Sequence, residues 1–317
     1  MCTIAVAAAC VASSTRASYA QDYPQRAIHI VVVAQSDALA RAIVPPLERT
    51  LGAPVVVESS GGAGGTIAAE RVAHARPDGY TLLVGGTNNV VLATLLRSQL
   101  PYAPATELEP LGGIARVPYG IAVRPGIPVR NLREFIDYAR AHPGELSFAS
   151  GGTGSSSHVA IELLKSRAGL DILHVPYRGG SAAVPDLVAG RIDVLANALA
   201  QLLPLAKAGR VRLIAVGGRR RALAAPDVPT VAEQGLAGYS VEPWYGLFAP
   251  AGIPKATRDR LSAALADALS SAEVRRQFAA QGVEPMALSG EALRALAVSE
   301  TAEYAQVIDA AGLRHSQ

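Results

Sequence analysis

From Ala27 onward the chain alternates short β-branched runs with longer helix-like segments, and few architectures accept that order. "AIHIVVVA" reads as a strand and is followed by a helix-like segment over Asp37 to Leu51. The strand "APVVVES", the Gly-rich turn "GGAGG", a helix from Thr66 to Ala75 and the strand "YTLLVGG" complete the first run. In the turn "RPDGY", Pro77 presets φ and Gly79 is free to take a positive φ. A second run begins after "VPYGIAVRP". Asn131 and Glu134 are spaced as a capping box, and Leu132, Phe135, Ile136 and Ala139 form one apolar stripe. Then come the strand "LSFAS", a helix ending at Ala168 with Gly169 as its cap, and the strand "DILHVPY". A helix over Ser181 to Ala189, the strand "RIDVLAN", a helix over Leu199 to Ala208 and the strand "VRLIAVGG" close the run.

Two such runs, joined by extended crossings near Tyr119 to Arg124 and Tyr239 to Leu247, predict an α/β protein of two lobes with a cleft between them. Residues 21–120 and 242–317 are expected to form one lobe and residues 121–241 the other, with a helical tail from Lys255 packed on the first. A length of 317 residues suits two lobes, each able to bury a core. The net charge of +3 comes from dispersed residues, and Arg219 to Arg221 form the only dense basic run. Without interleaved aromatics that run is a solvated loop, not a nucleic-acid footprint. Residues 1–20 combine an apolar run from Ile4 to Ala12 with a small-residue end, which predicts a signal peptide cut after Ala20. Cys10 offers a weaker lipoprotein alternative. Both cysteines, Cys2 and Cys10, fall in this leader, so no disulfide or thiol chemistry is expected of the mature chain.

In open α/β sheets the ligand sits beyond the carboxyl ends of the strands, where loops lead into helices. "SGGTGSSSH", residues 150–158, occupies that place. Gly151, Gly152 and Gly154 allow close backbone approach, and the N–H groups of Ser156, Ser157 and His158 begin a helix whose dipole favours an anion. The hydroxyls of Ser150, Thr153, Ser155 and Ser156 add neutral donors. A nucleotide cradle would need the lysine and hydroxyl residue of a P-loop, which neither "GGTGSSSH" nor "GGAGGTIAA" supplies. A hydrolase would need a second glycine after the serine, and His158 follows too closely to serve Ser155 or Ser156 as a base. The six histidines show no metal-ligand spacing, and no cofactor is implied.

"YPQRAIHIVV", "GGAGGTIAAERVAHARPDGYTLLVGGTNN", "SGGTGSSSHVAIELLKSRAG", "HVPYRGGSAAVPDLVAGRIDV", "PDVPTVAEQGLAGY" and "WYGLFAPAGIP" together resemble the substrate-binding proteins of tripartite tricarboxylate transporters, the Bug family. The resemblance covers essentially the whole mature chain. It implies a two-lobe periplasmic-binding-protein fold, type II-like, with mostly parallel sheets flanked by helices. It also implies a monomeric receptor in the periplasm that binds a mono-, di- or tricarboxylate and hands it to membrane components. Carried over by motif, the ligand-holding residues are Ser36 and Asp37, then Thr87, Asn88 and Asn89, then Ser150, Gly151, Thr153, Gly154, Ser155, Ser156 and His158. Tyr177 and Arg178 follow "HVP" in another cleft segment, where Arg178 would anchor a second carboxylate, and Asn197 stands where the family commonly has Asp.

Three departures from the family, the Asn197 change among them, keep other functions in view. The family's Pro-Phe-x-x-Gly-Gly loop after the first strand is shortened here to "VVVAQSDALAR", which predicts weaker binding by the first lobe. Pro45 and Pro46 lie inside the next helix and predict a kink or a split. An orphan receptor or sensor component with altered binding is therefore the second reading, and a serine hydrolase a distant third.

Overall fold

The computed structural model describes residues 23–33, 36–60 and 65–314, and the expected leader with both cysteines lies outside them. The chain begins β1 (Ile28–Val32), α1 (Asp37–Leu51), β2 (Val55–Ser59), α2 (Thr66–Ala73) and β3 (Thr81–Gly86). A π-helical turn over Thr87–Leu92 leads to α3 (Ala93–Leu96), α4 (Pro104–Glu107) and β4 (Leu108–Arg116). Next come β5 (Tyr119–Val123), α5 (Leu132–Ala141), β6 (Ser147–Ser150), α6 (Ser156–Ala168), β7 (Leu173–Pro176) and α7 (Gly180–Ala189). After β8 (Val194–Ala198), α8 (Leu199–Lys207) and β9 (Arg212–Val216), the chain ends in β10 (Trp244–Pro250), α9 (Lys255–Ser270), α10 (Ala272–Ala280), β11 (Glu284–Pro285) and α11 (Gly290–Ala310).

These strands form two sheets, ordered β11-β4-β10-β3-β1-β2 and β7-β6-β8-β5-β9. Within them β1, β2 and β3 run parallel, as do β6, β7 and β8. Both segments expected to be extended crossings are central strands. β5 enters the second sheet antiparallel to β8 and β9, and β10 returns to the first antiparallel to β3 and β4. Each carries the chain from one sheet into the interior of the other, and the two crossings lie side by side. The Val117 N–H donates to the Pro243 carbonyl at 2.7 Å, and this bond ties the two crossings into one hinge.

Local chemistry explains the elements around the site. Asn131 caps α5 by accepting the Glu134 N–H, while Glu134 reaches back to the N–H of Arg130, one residue before the cap. Gly169 closes α6 at φ 63°, the left-handed cap. Pro45 and Pro46 do not split α1, which runs unbroken to Leu51. The helix buries Leu39, Ile43, Pro46 and Leu47 against α9 and the first sheet, and this packing outweighs the two donors the prolines remove.

The tail packs on more than the first lobe. α9 lies on α1 and β4, but α11 covers β4 and also α6 of the second sheet. One apolar cluster joins Val31, Leu83 and Phe248 to Phe135, Phe148 and Val159 through Trp244, Leu293 and Tyr304. The lobes thus share a core behind the hinge.

Candidate functional site

At the carboxyl ends of β3 and β6 the chain turns into helical segments that meet between the lobes, where Ser156 reaches Asn88. The loop after β6 is the most elaborate. Gly152 and Gly154 take φ of 118° and 74°, where a side chain would be strained. Most of the loop's polar groups are engaged within the loop itself. The Gly151 N–H donates to Ser157 Oγ (2.8 Å), the Gly152 N–H to Ser150 Oγ (3.1 Å), and the Gly154 N–H to His158 Nδ1 (2.9 Å). Ser155 caps α6, accepting from the His158 N–H while its hydroxyl donates to the Gly152 carbonyl at 2.7 Å. The N–H groups of Ser156 and Ser157 make no hydrogen bond with another described residue, and they stand at the first positions of a 13-residue helix. That places two adjacent donors at the positive end of a helix dipole, a site for one carboxylate.

The imidazole of His158 therefore belongs to the scaffold. Because Nδ1 accepts from Gly154, the ring's proton sits on Nε2, which lies 3.7 Å from Glu162 Oε1. The ring stacks on His174 at 3.8 Å between centroids, and His174 stacks on Phe148 in turn. Burial, reinforced by the neighbouring His158, pushes His174 down to about 4. Burial works to raise the Glu162 carboxyl, but hydrogen bonds from His158 and Lys165 outweigh it and hold the group below its usual range. Ser150 is completely buried, with Oγ 2.7 Å from His174 Nε2. Sequence spacing pointed to His158 as the histidine beside the serines. The fold brings His174 to Ser150 instead, through strand pairing that no local motif announces.

The other expected residues divide between anchored and open. Ser36 is fully buried, its N–H and its hydroxyl both on the Val33 carbonyl. Asp37 begins α1 and pairs with Arg41 at 2.6 Å, and the shortened loop at 34–35 lies outside the described residues. Thr87 Oγ1 accepts the Trp244 N–H (3.0 Å), and Asn89 ties the π-helical turn to Gly86 and Gly65. Asn88 is exposed, and its Oδ1 accepts from Ser156 Oγ at 2.8 Å, a bond that crosses from one lobe to the other. Thr153 is exposed at the loop's tip. Tyr177 donates to Asp186 at 2.6 Å, and its neighbour Gly179 runs beside the loop, donating to the Gly151 carbonyl. Arg178 is exposed and makes no hydrogen bond or ion pair with another described residue. Asn197 is buried against Gly180 and donates to Gln201, which donates to Ser181. This short chain of amides fixes the starts of α7 and α8 beside that of α6.

The positions of two tyrosines carried no signal in the sequence. Tyr119 opens β5 opposite Ala198, and Tyr245 lies in β10 opposite Gly86, with its ring against the Gly86 backbone. Only the strand pairing places them at the carboxyl ends of the parallel strands. Among the described residues, no group of three or more His, Cys, Asp or Glu is placed to hold a metal, and no helix is long and apolar enough to cross a membrane.

Two α/β lobes, a paired-strand hinge and opposed loops at the carboxyl ends of both sheets define a solute-binding protein of the two-lobe periplasmic type. Residues 39–313 match the family described as the tripartite tricarboxylate transporter family receptor, and the chain belongs to that family. It is 36% identical over 308 residues to the UPF0065 protein of the tcbD-tcbE intergenic region of Pseudomonas sp. (strain P51), covering 96% of this chain and 91% of that one. It is also similar to two solved structures from Rhodopseudomonas palustris. Rpa4515 with adipate shares 32% identity at a TM-score of 0.79, covering 92% of this chain and 99% of that one. MatC with bound malate shares 33% identity at a TM-score of 0.75, covering 90% and 100%.

Proposed function

We propose that this protein is a periplasmic receptor that captures a small organic carboxylate in the cleft and delivers it, as a monomer, to membrane components of a tripartite tricarboxylate-type uptake system. The observation that carries this reading is the pair of N–H groups at Ser156 and Ser157, which bond to no other described residue at the start of α6, where the Ser156 hydroxyl reaches Asn88 of the opposite lobe. Adipate and malate in the related structures support an organic acid as the ligand. Ser150, Thr153 and Ser155 shape the loop, His158 locks it, and Thr87, Asn88 and Asn89 form the opposing wall. Arg178, exposed and without a partner among the described residues, is the cation available for a second carboxylate. The lobes are residues 21–120 with 242–317, and 121–241.

Binding rather than catalysis fits the serine chemistry. The Ser150 hydroxyl that touches an imidazole is sealed from the cleft, and His174, held near 4, is a weak base. A thermal-shift screen against mono-, di- and tricarboxylates tests the proposal, because a native-state ligand at 100 times its Kd adds about 2.7 kcal/mol of stability. At least one acid should raise the melting temperature, and Ser156→Pro, which deletes one of the two open donors at a helix position that tolerates proline, should abolish the shift. If millimolar acids of every class leave the melting temperature unmoved, the protein is not a carboxylate receptor.

A further inference from the structure

We infer that His174 is a positioning residue: through the buried Ser150 it holds the loop of residues 150–158 in the form that leaves the Ser156 and Ser157 N–H groups free at the start of α6. The geometry of that hold needs no ligand, and its consequence for carboxylate affinity rests on the receptor reading above. Strand pairing makes the contact. β7 runs parallel to β6 with His174 opposite Phe148, and Ser150 follows Phe148 by two residues, on the same face of the sheet. The Ser150 side chain is wholly buried, with Oγ 2.7 Å from His174 Nε2.

From that contact a chain of bonds leads to the helix start. The Gly152 N–H donates to Ser150 Oγ at 3.1 Å, and the Gly152 carbonyl accepts both the N–H (3.1 Å) and the hydroxyl (2.7 Å) of Ser155. Ser155 is the cap of α6, so its position fixes where the next two N–H groups point. With Ser155 already on the Gly152 carbonyl, the nearer acceptor for the Ser150 proton is His174 Nε2, at 2.7 Å against 3.2 Å to that carbonyl. The ring is able to accept it, because burial and the neighbouring His158 push His174 down to about 4 and leave it uncharged near neutral pH. The two stacked imidazoles thus divide the loop, His158 holding the Gly154 N–H and His174 holding Ser150 and, through it, Gly152. Without the Nε2 acceptor the Ser150 hydroxyl turns to the Gly152 carbonyl, competes with Ser155 for it and loosens the cap.

Two substitutions that differ in reach test this. The amide of His174→Gln extends to the place of Nε2 and accepts from Ser150, that of His174→Asn stops short, and neither keeps the ring stack. The first measurement is hydrogen–deuterium exchange of a peptide spanning residues 150–158 in the unliganded protein. Exchange should be about tenfold faster in His174→Asn and within about twofold of the parent in His174→Gln, with β3 unchanged in both. Calorimetric titration with malate and adipate should follow the same order, the Asn variant binding about tenfold more weakly and the Gln variant close to the parent. Equal exchange in the two variants, fast or slow, would overturn the inference, because a ring that merely fills space is lost in both. Parental affinity in the Asn variant despite a loosened loop would also overturn it and leave the receptor reading standing. If no carboxylate binds the parent, the receptor reading falls, and the exchange pattern alone decides whether His174 orders the loop.

Discussion

Glu300 shows how one side chain can couple the hinge to pH. Its carboxylate accepts the indole N–H of Trp244, the first residue of β10, at 2.7 Å, in the packing that joins α11 to the crossing strand. Burial pushes it up to about 7, Glu303 and Glu242 push the same way, and the Trp244 bond and Arg219 oppose them. An unfolded glutamate titrates at about 4.3, so the native state keeps this proton over a range in which the unfolded chain has lost it. The group's contribution to stability is therefore full below about pH 4, falls as pH rises, and is gone above about pH 7. Glu300→Gln keeps a carbonyl acceptor for the indole and cannot ionise. Urea unfolding should find this variant more stable than the parent at pH 8, by on the order of 3 kcal/mol, and close to it at pH 4.5. A gain of the same size at both pH values would mean that Glu300 does not titrate with folding in this window. Trp244 is the only tryptophan, so its fluorescence reports the same event directly.

Among the elements, α1 and the loop before α6 show opposite relations between local preference and final structure. In α1, Pro45 and Pro46 deprive the carbonyls of Arg41 and Ala42 of their helical donors, and the helix persists because its buried face is held by α9 and the first sheet. Pro45 is only half-buried, so Pro45→Ala returns a donor without opening a large cavity. Thermal unfolding should show α1 stabilised by roughly 1 to 3 kcal/mol, and a destabilised variant would mean that the proline ring itself is needed in the packing. In the loop of residues 150–158, local chemistry and final form agree. Glycines take the positive φ values, Ser155 caps the helix, and the short side chains close the turn on itself. What local reading missed is that this closure consumes most of the donors. The Gly151, Gly152, Gly154 and His158 N–H groups that a linear view would offer to a ligand are already bonded, leaving those of Ser156 and Ser157.

For the whole molecule, function depends on how the lobes meet. The Ser156 to Asn88 bond spans the cleft, while α11, Trp244 and the Arg220 to Glu284 pair at 2.6 Å join the lobes behind the hinge. If the lobes close on a ligand, the rear contacts are the pivot and the front contact is the one that closure forms. Ser156→Trp would wedge an indole against Asn88, and small-angle scattering should then give a larger radius of gyration that a carboxylate no longer reduces. Compaction equal to the parent's would show that the front contact is not part of closure. The alternation of β1 to β3 and of β6 to β9 with their helices, the two runs, the capping residues of α5 and α6 and the place of the glycine- and serine-rich loop between β6 and α6 were legible in the linear chain. Each depends on periodicity, turn chemistry or backbone freedom within a few residues, and such preferences act before any distant contact forms. The chain alone did not show that both crossings are central strands, that His174 rather than His158 meets Ser150, or that Tyr119 stands opposite Ala198 and Tyr245 opposite Gly86. Those facts depend on which strand pairs with which across more than 20 residues, and in the case of Tyr119 with Ala198 and Tyr245 with Gly86 across far more. Long-range pairing is decided by the burial of whole faces at once, so its result exists only in the folded molecule.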